Sequence, residues 1–211
     1  MPRALLLGAT GLVGRELLTL LLADSRYASV VVVARRRTGV KHAKLIEHVF
    51  DLEHMEAHRE AFIADDVFCA LGTTIKIAGS QERFRAIDLE MPLRAARLAR
   101  AQGASHYLLV SSVGANAKSR IFYTRVKGEL EHDLAQLGYP SLTIARPATL
   151  LGPRTEHRSG EGLAQRLGWL VPAAYKPIEG RSVARALVAA AHEPRPGVRV
   201  LPSREMRERY G

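Results

Sequence analysis

Near its amino end the chain reads Leu5-Leu6-Leu7-Gly8-Ala9-Thr10-Gly11-Leu12-Val13-Gly14-Arg15-Glu16-Leu17-Leu18. An apolar run breaks into three spaced glycines and continues as a leucine-rich amphipathic stretch, which predicts a strand, a tight turn and a helix. Backbone N–H groups and the positive end of the helix dipole meet at such a turn. Gly8 permits the sharp turn, Gly11 lets phosphate oxygens approach the backbone, and Gly14 lets the helix pack closely on the strand. The stretch therefore predicts a dinucleotide site; a glycine-rich turn without a ligand would leave the spacing unexplained.

The bulk composition indicates an ordinary globular protein. The chain has 211 residues, of which 47% are hydrophobic and 25% are charged. We expect a single domain over residues 1–211, with small substrate-side elements within 152–180. No apolar run is long enough to cross a bilayer, so no membrane association is expected. The one cysteine, Cys69, excludes an internal disulfide, and with no signal-peptide pattern this predicts a cytoplasmic location.

The chain is strongly basic, with a formal net charge of +10. A basic surface can bind nucleic acid, but the arginines are spread along the whole chain and aromatic residues make up only 6%. We therefore expect a small-molecule substrate rather than nucleic acid as the partner. A homodimer is kept as an open expectation for the oligomeric state.

Short apolar runs alternate with helix-length amphipathic runs. The predicted strands are Arg3–Leu7, Ser29–Ala34, Leu45–Phe50, Asp66–Leu71, His106–Ser111, Ser141–Arg146 and Val198–Leu201. The predicted helices are Leu12–Leu22, Glu53–Ala64, Gln81–Gln102, Thr124–Leu137, Gly162–Leu170 and Arg181–His192. Several strands are apolar throughout, which is typical of a parallel sheet covered on both faces. The order predicts a doubly wound α/β (Rossmann) fold with a mostly parallel sheet of six to seven strands.

The residues after the second predicted strand indicate which dinucleotide is bound. An acid there would accept hydrogen bonds from the adenosine ribose, but the strand ends in Ala34-Arg35-Arg36-Arg37. A guanidinium can hold a 2′-phosphate through paired charged hydrogen bonds. We therefore predict NADP(H) rather than NAD(H), with Arg35 as the first choice and Arg36 as the second. Asp51 either accepts a hydrogen bond from the adenine amino group or caps the helix that follows it.

Two features could carry chemistry. Hydroxyl side chains at Ser111 and Ser112 follow a strand, at the sheet edge where ligands of open α/β sheets bind. Tyr123 and Lys127 are four residues apart, which places both on one helix face. A phenol titrates near pH 10 and needs its pKa lowered by roughly 3 units to act as a general acid or base at neutral pH. A neighbouring ammonium group favours that change, so we predict Ser112, Tyr123 and Lys127 as the catalytic residues.

At these residues the sequence resembles the short-chain dehydrogenase/reductase superfamily, and within it the atypical, oxidoreductase-like Tat-interacting protein group. The resemblance covers residues 3 to 192. It depends on four motifs and two closing pairs: Gly8-Ala9-Thr10-Gly11-Leu12-Val13-Gly14, Cys69-Ala70-Leu71-Gly72-Thr73-Thr74, Leu109-Val110-Ser111-Ser112-Val113-Gly114-Ala115, Phe122-Tyr123-Thr124-Arg125-Val126-Lys127-Gly128-Glu129, and Arg146-Pro147 with Leu150-Leu151.

The resemblance implies the same catalytic set of Ser112, Tyr123 and Lys127, with Lys127 also holding the nicotinamide ribose. The other expected cofactor contacts are Thr10, Leu12, Val13, Leu71, Gly72, Thr73, Ser111, Arg146 and Pro147. Members of the superfamily often carry an asparagine in the fourth helix as a proton relay, and the matching region here offers Asp88 instead.

The leading hypothesis is an enzyme that transfers hydride between NADP(H) and a carbonyl or alcohol. The alternative is a regulatory protein that senses NADP(H) with little or no turnover. No metal site is expected: His54 and His58 have a spacing of four, but their order is not H-E-x-x-H and no third ligand is evident.

Overall fold

A computed structural model of the chain describes residues 1–151, 172 and 175–211. The strands in these ranges are β1 (Arg3–Leu7), β2 (Ser29–Ala34), β3 (Leu45–Val49), β4 (Asp66–Cys69), β5 (His106–Val110), β6 (Ser141–Arg146), β7 (Leu150–Leu151), β8 (Ile178–Glu179) and β9 (Gly197–Pro202). Seven strands form one parallel sheet in the order β3-β2-β1-β4-β5-β6-β9, and β7 pairs with β8 separately. The order reverses between β1 and β4, as in doubly wound folds, which confirms the predicted fold class.

The helices of the described residues cover both faces of this sheet. They are α1 (Leu12–Ala23), α2 (Ile75–Ala78), α3 (Gln81–Arg85), α4 (Met91–Ala101), α5 (Phe122–Ala135), α6 (Gly180–His192) and α7 (Ser203–Tyr210). A π-helical turn, Ala86–Glu90, joins α3 to α4, so the single helix predicted over this region contains an inserted wide turn. The short elements α2, β7 and β8 were not predicted, because elements of two to four residues carry no clear periodicity. The last helix, α7, was not predicted either. The predicted helix Gly162–Leu170 lies outside the described residues.

The segment Leu52–Phe62 differs from the prediction of an α-helix. It is a 3₁₀ segment interrupted at His54 (φ −105°, ψ 19°) and His58 (φ −125°, ψ 43°). Because both residues leave the helical conformation, their spacing of four does not place them on one helix face. The His58 ring instead stacks on Phe50, with the ring centres 4.1 Å apart.

The core lies on both faces of the sheet, and alternate residues of the central strands divide between the two layers. On β1, Leu5 and Leu7 pack in the layer that holds α4 and α5, whereas Leu6 packs in the layer that holds α1 and α6. All three leucines are fully buried. The continuous apolar runs in the sequence therefore reflect strands that are covered on both sides.

A buried polar cluster lies at the amino end of the sheet, opposite the glycine turn. The Tyr27 hydroxyl donates to Asp66 Oδ2 over 2.7 Å, and Arg26 Nη2 lies 3.3 Å from the same oxygen. His106, also buried, has Nε2 within 2.9 Å of Thr143 Oγ1. These contacts pair the Asp66 carboxylate and one ring nitrogen of His106, while Nδ1 of His106 has no hydrogen-bond partner among the described residues.

This cluster predicts a pH-dependent stability that His106 controls. Burial, together with the positive charges of Arg26 and Arg199, lowers the pKa of His106 to about 4. The unfolded chain takes up a proton at this residue below about pH 6.5, whereas the folded chain does not, so stability falls as the pH drops. The loss from this residue should be roughly 2 kcal/mol between pH 7 and pH 5.

Urea unfolding of the parent and of His106→Gln at pH 7 and pH 5 measures this contribution. We expect the difference between the two pH values to shrink by most of that amount in the variant, whatever its absolute stability. An unchanged difference would show that His106 does not control the pH dependence.

Candidate cofactor and active site

The glycine turn after β1 is possible only without side chains. Gly8 has a φ of +82°, and a Cβ there would lie 2.5 Å from the Ala70 carbonyl oxygen. A Cβ on Gly14 would lie 1.9 Å from the Gly8 carbonyl oxygen, so the first turn of α1 sits directly on the end of β1. The Gly11 amide donates to the same oxygen over 3.1 Å. The predicted roles of Gly8 and Gly14 in the turn and the packing therefore match the geometry.

The amino end of α1 is open to a ligand. Gly11 is the exposed N-cap residue, no described side chain caps the helix, and its first turn contains no acidic residue. Thr10 beside it is exposed, Leu12 is half-buried, and Val13 is buried in the core. Helix N–H groups without a capping side chain attract an anion, so the cradle fits the pyrophosphate of a dinucleotide.

A cleft of about 470 Å³ opens beside this turn, and its walls are basic. Arg15, Arg36 and Arg37 line it together with Thr10, Thr38 and neighbouring apolar residues. Arg37 Nη1 lies 3.7 Å from a carboxylate oxygen of Glu47, so its charge is partly balanced. Arg36 is exposed and has no ion-pair partner among residues 1–151, 172 and 175–211. The cleft thus offers a guanidinium at the place where the adenosine end of a dinucleotide would lie.

The structure gives less support to the other two residues predicted to contact the adenosine end, Arg35 and Asp51. Arg35 is exposed but is not among the residues that line the cleft. The Asp51 carboxylate accepts a hydrogen bond of 3.0 Å from the Glu53 amide and is the N-cap of the 3₁₀ segment. Asp51 therefore caps the segment that follows it, and contact of Arg35 or Asp51 with the cofactor stays a prediction.

A buried ion pair joins three elements at the carboxyl edge of the sheet. Lys127 Nζ lies 2.7 Å from Asp88 Oδ1, and both side chains are at most 4% exposed. Asp88 Oδ2 accepts a 2.8 Å hydrogen bond from the Thr73 amide, in the loop that follows β4. A Cβ on Gly72 would lie 3.3 Å from Asp88 Oδ1 and 3.5 Å from Lys127 Nζ, so this loop passes directly over the pair. Leu71 precedes it and packs partly on the core.

The electrostatics of the pair favour the charged form of Lys127 despite its burial. Burial alone would lower the pKa of Lys127, but the negative charges of Asp88 and of an ionised Tyr123 raise it above its ordinary value. Burial raises the pKa of Asp88, and the Lys127 ammonium and the Thr73 amide counteract part of that rise. The lysine is therefore held in its protonated form.

Tyr123 lies in the first turn of α5, one turn before Lys127 and on the same face. The helix begins at Phe122 rather than at Thr124, which brings Tyr123 into the regular spiral. Its half-buried ring packs against Phe84, with the ring centres 5.6 Å apart. Because Tyr123 and Lys127 are one turn apart on α5, the two predicted catalytic groups lie on one face of the same helix.

The loop after β5 carries Ser112 towards this helix. The Val113 amide donates to the Pro147 carbonyl oxygen over 2.8 Å, which joins the ends of β5 and β6. Ser112 is half-buried, and its hydroxyl lies 3.3 Å from the Val113 carbonyl oxygen. The loop packs tightly on α5 because Gly128 has no side chain: a Cβ there would lie 2.2 Å from the Ala117 nitrogen. Ser112, Tyr123 and Lys127 are thus brought to one edge of the sheet.

Two residues predicted to contact the cofactor bind Glu131, which the sequence did not single out, and their contact with the cofactor stays a prediction. Arg146 binds the buried carboxylate of Glu131 through two of its nitrogens, and the Ser111 hydroxyl donates to the same carboxylate. These bonds fix the ends of β5 and β6 against α5. Glu131 lies four residues after Lys127, and that spacing was the available signal.

Asp88 was noted in the sequence but given no role, although an acid between the apolar residues Ile87 and Leu89 is unusual on a buried helix face. Arg37 was missed as a residue of the cleft wall. The small substrate-side elements predicted within 152–180 fall mostly outside the described residues.

The fold and the cradle define a dinucleotide-binding Rossmann protein of the oxidoreductase-like kind. The chain belongs to the NAD(P)H-binding family, whose sequence model matches residues 8–194. That range contains the glycine turn, Asp88 and the Tyr123–Lys127 helix, and it confirms that the protein binds a nicotinamide dinucleotide.

Curated relatives place the chain more closely. It is 36% identical to Protein FMP52-1, mitochondrial, of Scheffersomyces stipitis, and the match covers 98% of both chains. It is also 36% identical to Protein HTATIP2 of Rattus norvegicus over 79% of this chain and 70% of that relative. The second match confirms the resemblance to the Tat-interacting protein group of atypical short-chain dehydrogenase/reductases.

Solved structures agree on the fold. MoeE5 in complex with UDP-glucose and NAD superposes with a TM-score of 0.72 at 19% identity, covering 94% of this chain and 75% of that one. A UDP-glucose 4-epimerase of Thermotoga maritima gives a TM-score of 0.73 at 17% identity, covering 95% and 76%. At these identities the likeness supports the architecture alone.

The relatives correct the predicted location. FMP52 proteins of Scheffersomyces stipitis, Candida albicans and Debaryomyces hansenii are all named mitochondrial, so the prediction of a cytoplasmic location is wrong. A lack of internal disulfides does not distinguish one reducing compartment from another. Among the described residues, no helix is both long enough and apolar enough to span a bilayer.

The glycine turn predicts opposite effects of two alanine substitutions. Gly14→Ala drives a methyl group into the Gly8 carbonyl and should cost about 3 kcal/mol of stability or more. Gly11 has an ordinary φ of −76°, and a Cβ there would lie 3.4 Å from the Gly8 oxygen. Gly11→Ala should therefore fold within about 1 kcal/mol of the parent and yet bind NADPH and NADH about tenfold more weakly.

Urea unfolding and calorimetric titration with both dinucleotides test this pair. Normal dinucleotide affinity in a folded Gly11→Ala variant would show that no phosphate approaches the backbone there.

Proposed function

We propose that the protein is an NADP(H)-dependent oxidoreductase of the atypical short-chain dehydrogenase/reductase type, which interconverts a carbonyl and an alcohol. The observation that carries this proposal is the grouping of Ser112, Tyr123 and a charged Lys127 at the carboxyl edge of the sheet. The glycine cradle opens at the same edge, because both follow the carboxyl ends of parallel strands.

The chain's own groups would divide the work as follows. The amino end of α1 would hold the pyrophosphate, and the Leu71–Thr73 loop would run along the middle of the cofactor. When bound, the nicotinamide supplies or accepts a hydride. Tyr123 would donate a proton to the substrate oxygen in the reducing direction and accept it in the oxidising direction. Lys127 favours the phenolate that remains, and Ser112 would hold the substrate oxygen by a hydrogen bond.

The preference for NADP(H) is supported by the cleft beside the glycine turn. Arg36 lies on its wall without a carboxylate partner in the described residues, while Arg37 is partly balanced by Glu47. A 2′-phosphate would bring a negative charge to this unbalanced guanidinium, whereas a free ribose hydroxyl would leave it unused.

The second candidate is a protein that senses NADP(H) without turnover. The ion pair between Lys127 and Asp88 favours it, because a carboxylate 2.7 Å away offsets much of the field that the ammonium exerts on the phenol. The intact set of Ser112, Tyr123 and Lys127 favours the enzyme, because a sensor needs no proton donor. A panel of aldehydes, ketones and quinones with NADPH separates the two: tight cofactor binding without oxidation of NADPH by any compound would support the sensor.

Tyr123→Phe tests the catalytic proposal. The variant lacks the proton donor but keeps the ring that packs on Phe84, so NADPH affinity should stay within about twofold while turnover falls by roughly 10²-fold to 10⁴-fold. Tyr210→Phe, which removes a phenolic hydroxyl from the last helix, is the matched control and should keep the parent rate. Parent-like turnover in Tyr123→Phe would end the assignment.

Arg36→Ala tests the cofactor preference. Loss of a charged hydrogen bond to phosphate should weaken NADPH binding about tenfold and leave NADH binding nearly unchanged. Arg35→Ala, next to it but off the cleft wall, should have a smaller effect, and Arg97→Ala on the exposed face of α4 controls for net charge. Equal losses for NADPH and NADH in Arg36→Ala would contradict a role in selecting the phosphate.

A further inference from the structure

We propose that Asp88 is a positioning residue that ties the ammonium group of Lys127 to the Gly72–Thr73 turn and keeps that ammonium charged in a buried site. The catalytic consequence of this inference rests on the proposed function. The link between Lys127 and the Gly72–Thr73 turn does not depend on the proposed function.

The carboxylate of Asp88 has two separate contacts, one for each oxygen. Oδ1 lies 2.7 Å from Lys127 Nζ, and Oδ2 accepts the Thr73 amide proton over 2.8 Å. The lysine lies on α5, the amide lies after β4, and Asp88 lies between α3 and α4. A single side chain therefore connects three elements that the chain order keeps far apart.

The π-helical turn is what presents Asp88 to this position. A π turn inserts one residue into a helix, and such insertions concentrate at functional sites. Asp88 sits at the middle of the turn Ala86–Glu90 and is fully buried, whereas Glu90 at its end is exposed. The turn thus directs one of its two acids inward and leaves the other in solvent.

The Gly72 backbone covers the ion pair closely. A side chain at that position would touch both Asp88 Oδ1 and Lys127 Nζ, at 3.3 Å and 3.5 Å. A dinucleotide lying along this loop would therefore approach the ammonium across one layer of backbone. Movement of the loop and movement of Lys127 are coupled through the same carboxylate.

The charge of Lys127 depends on this arrangement. The groups that act on it are Asp88 from the π turn, Tyr123 from its own helix and the buried thiol of Cys69 from β4. Of these, the Asp88 carboxylate is the largest influence that opposes the effect of burial on the pKa of Lys127. Without it, a buried ammonium would give up its proton far more readily.

Two variants separate the two contacts. Asp88→Asn keeps the shape and an oxygen acceptor for the Thr73 amide but removes the charge, whereas Asp88→Ala removes both. Glu90→Gln takes one negative charge from the exposed end of the same π turn and is the matched control.

Calorimetric titration with NADPH from pH 6 to pH 10 provides the readout that needs no turnover. At pH 6 we expect Asp88→Asn to bind within about threefold of the parent and Asp88→Ala about tenfold more weakly. In Asp88→Asn the affinity should decline with rising pH at least about one unit earlier than in the parent, because Lys127 loses its proton earlier. Glu90→Gln should follow the parent. Hydrogen exchange at the Thr73 amide should stay slow in Asp88→Asn and become fast in Asp88→Ala.

The pH profile of kcat adds the catalytic measurement. As the pH rises, the activity of Asp88→Asn should fall at a lower pH than the activity of the parent. A purely structural role would lower the stability of both variants and move neither pH profile, and that result would overturn the inference. If the parent shows no turnover, the proposed function fails, while the affinity profile and the Thr73 exchange still decide the role of Asp88. If the parent turns over and both profiles of Asp88→Asn coincide with it, the inference fails and the proposed function stands.

Discussion

The contact between the first turn of α1 and the end of β1 is the constraint on which the rest of the site depends. Gly14 lies so close to the Gly8 carbonyl oxygen that no side chain fits between them. The close contact directs the amino end of the helix at the carboxyl edge of the sheet. Because the strands are parallel, every other loop of the site ends at that same edge. The cradle and the basic cleft beside it follow from this packing, and the Lys127 pair lies at the same edge because the strands are parallel.

The sequence was sufficient for the fold because its signals were long and consistent. Runs such as Val30–Val33 are short and β-branched, which is typical of strands covered on both faces, and the helices on either side are long enough to show their period. The failures came where a local interaction overrides periodicity. The segment Leu52–Phe62 has helix-forming residues but breaks at two histidines, and the π turn at Ala86–Glu90 changes the register of a helix without any change in composition.

The candidate site divides in the same way. Residues that act through the backbone or through a fixed spacing, such as Gly8, Gly14 and the Tyr123–Lys127 pair, could be found from sequence. Residues that act through a partner on another element could not, because the partner is visible only in the fold. Glu131 is an example, because it binds both Ser111 and Arg146, which follow or end two different strands.

Buried ionisable groups give the two ends of the sheet different properties. At the amino end, burial and the positive charges of Arg26 and Arg199 keep His106 neutral at physiological pH, so the fold loses stability when the pH falls below the ordinary pKa of histidine. At the carboxyl end, Lys127 keeps its charge because Asp88 lies within ion-pair distance. A buried pair of this kind contributes little net stability, since desolvation offsets most of the attraction. An ion pair between Lys127 and Asp88 beside the Gly72–Thr73 turn is therefore better explained by the action of the charged lysine there than by the stability of the fold.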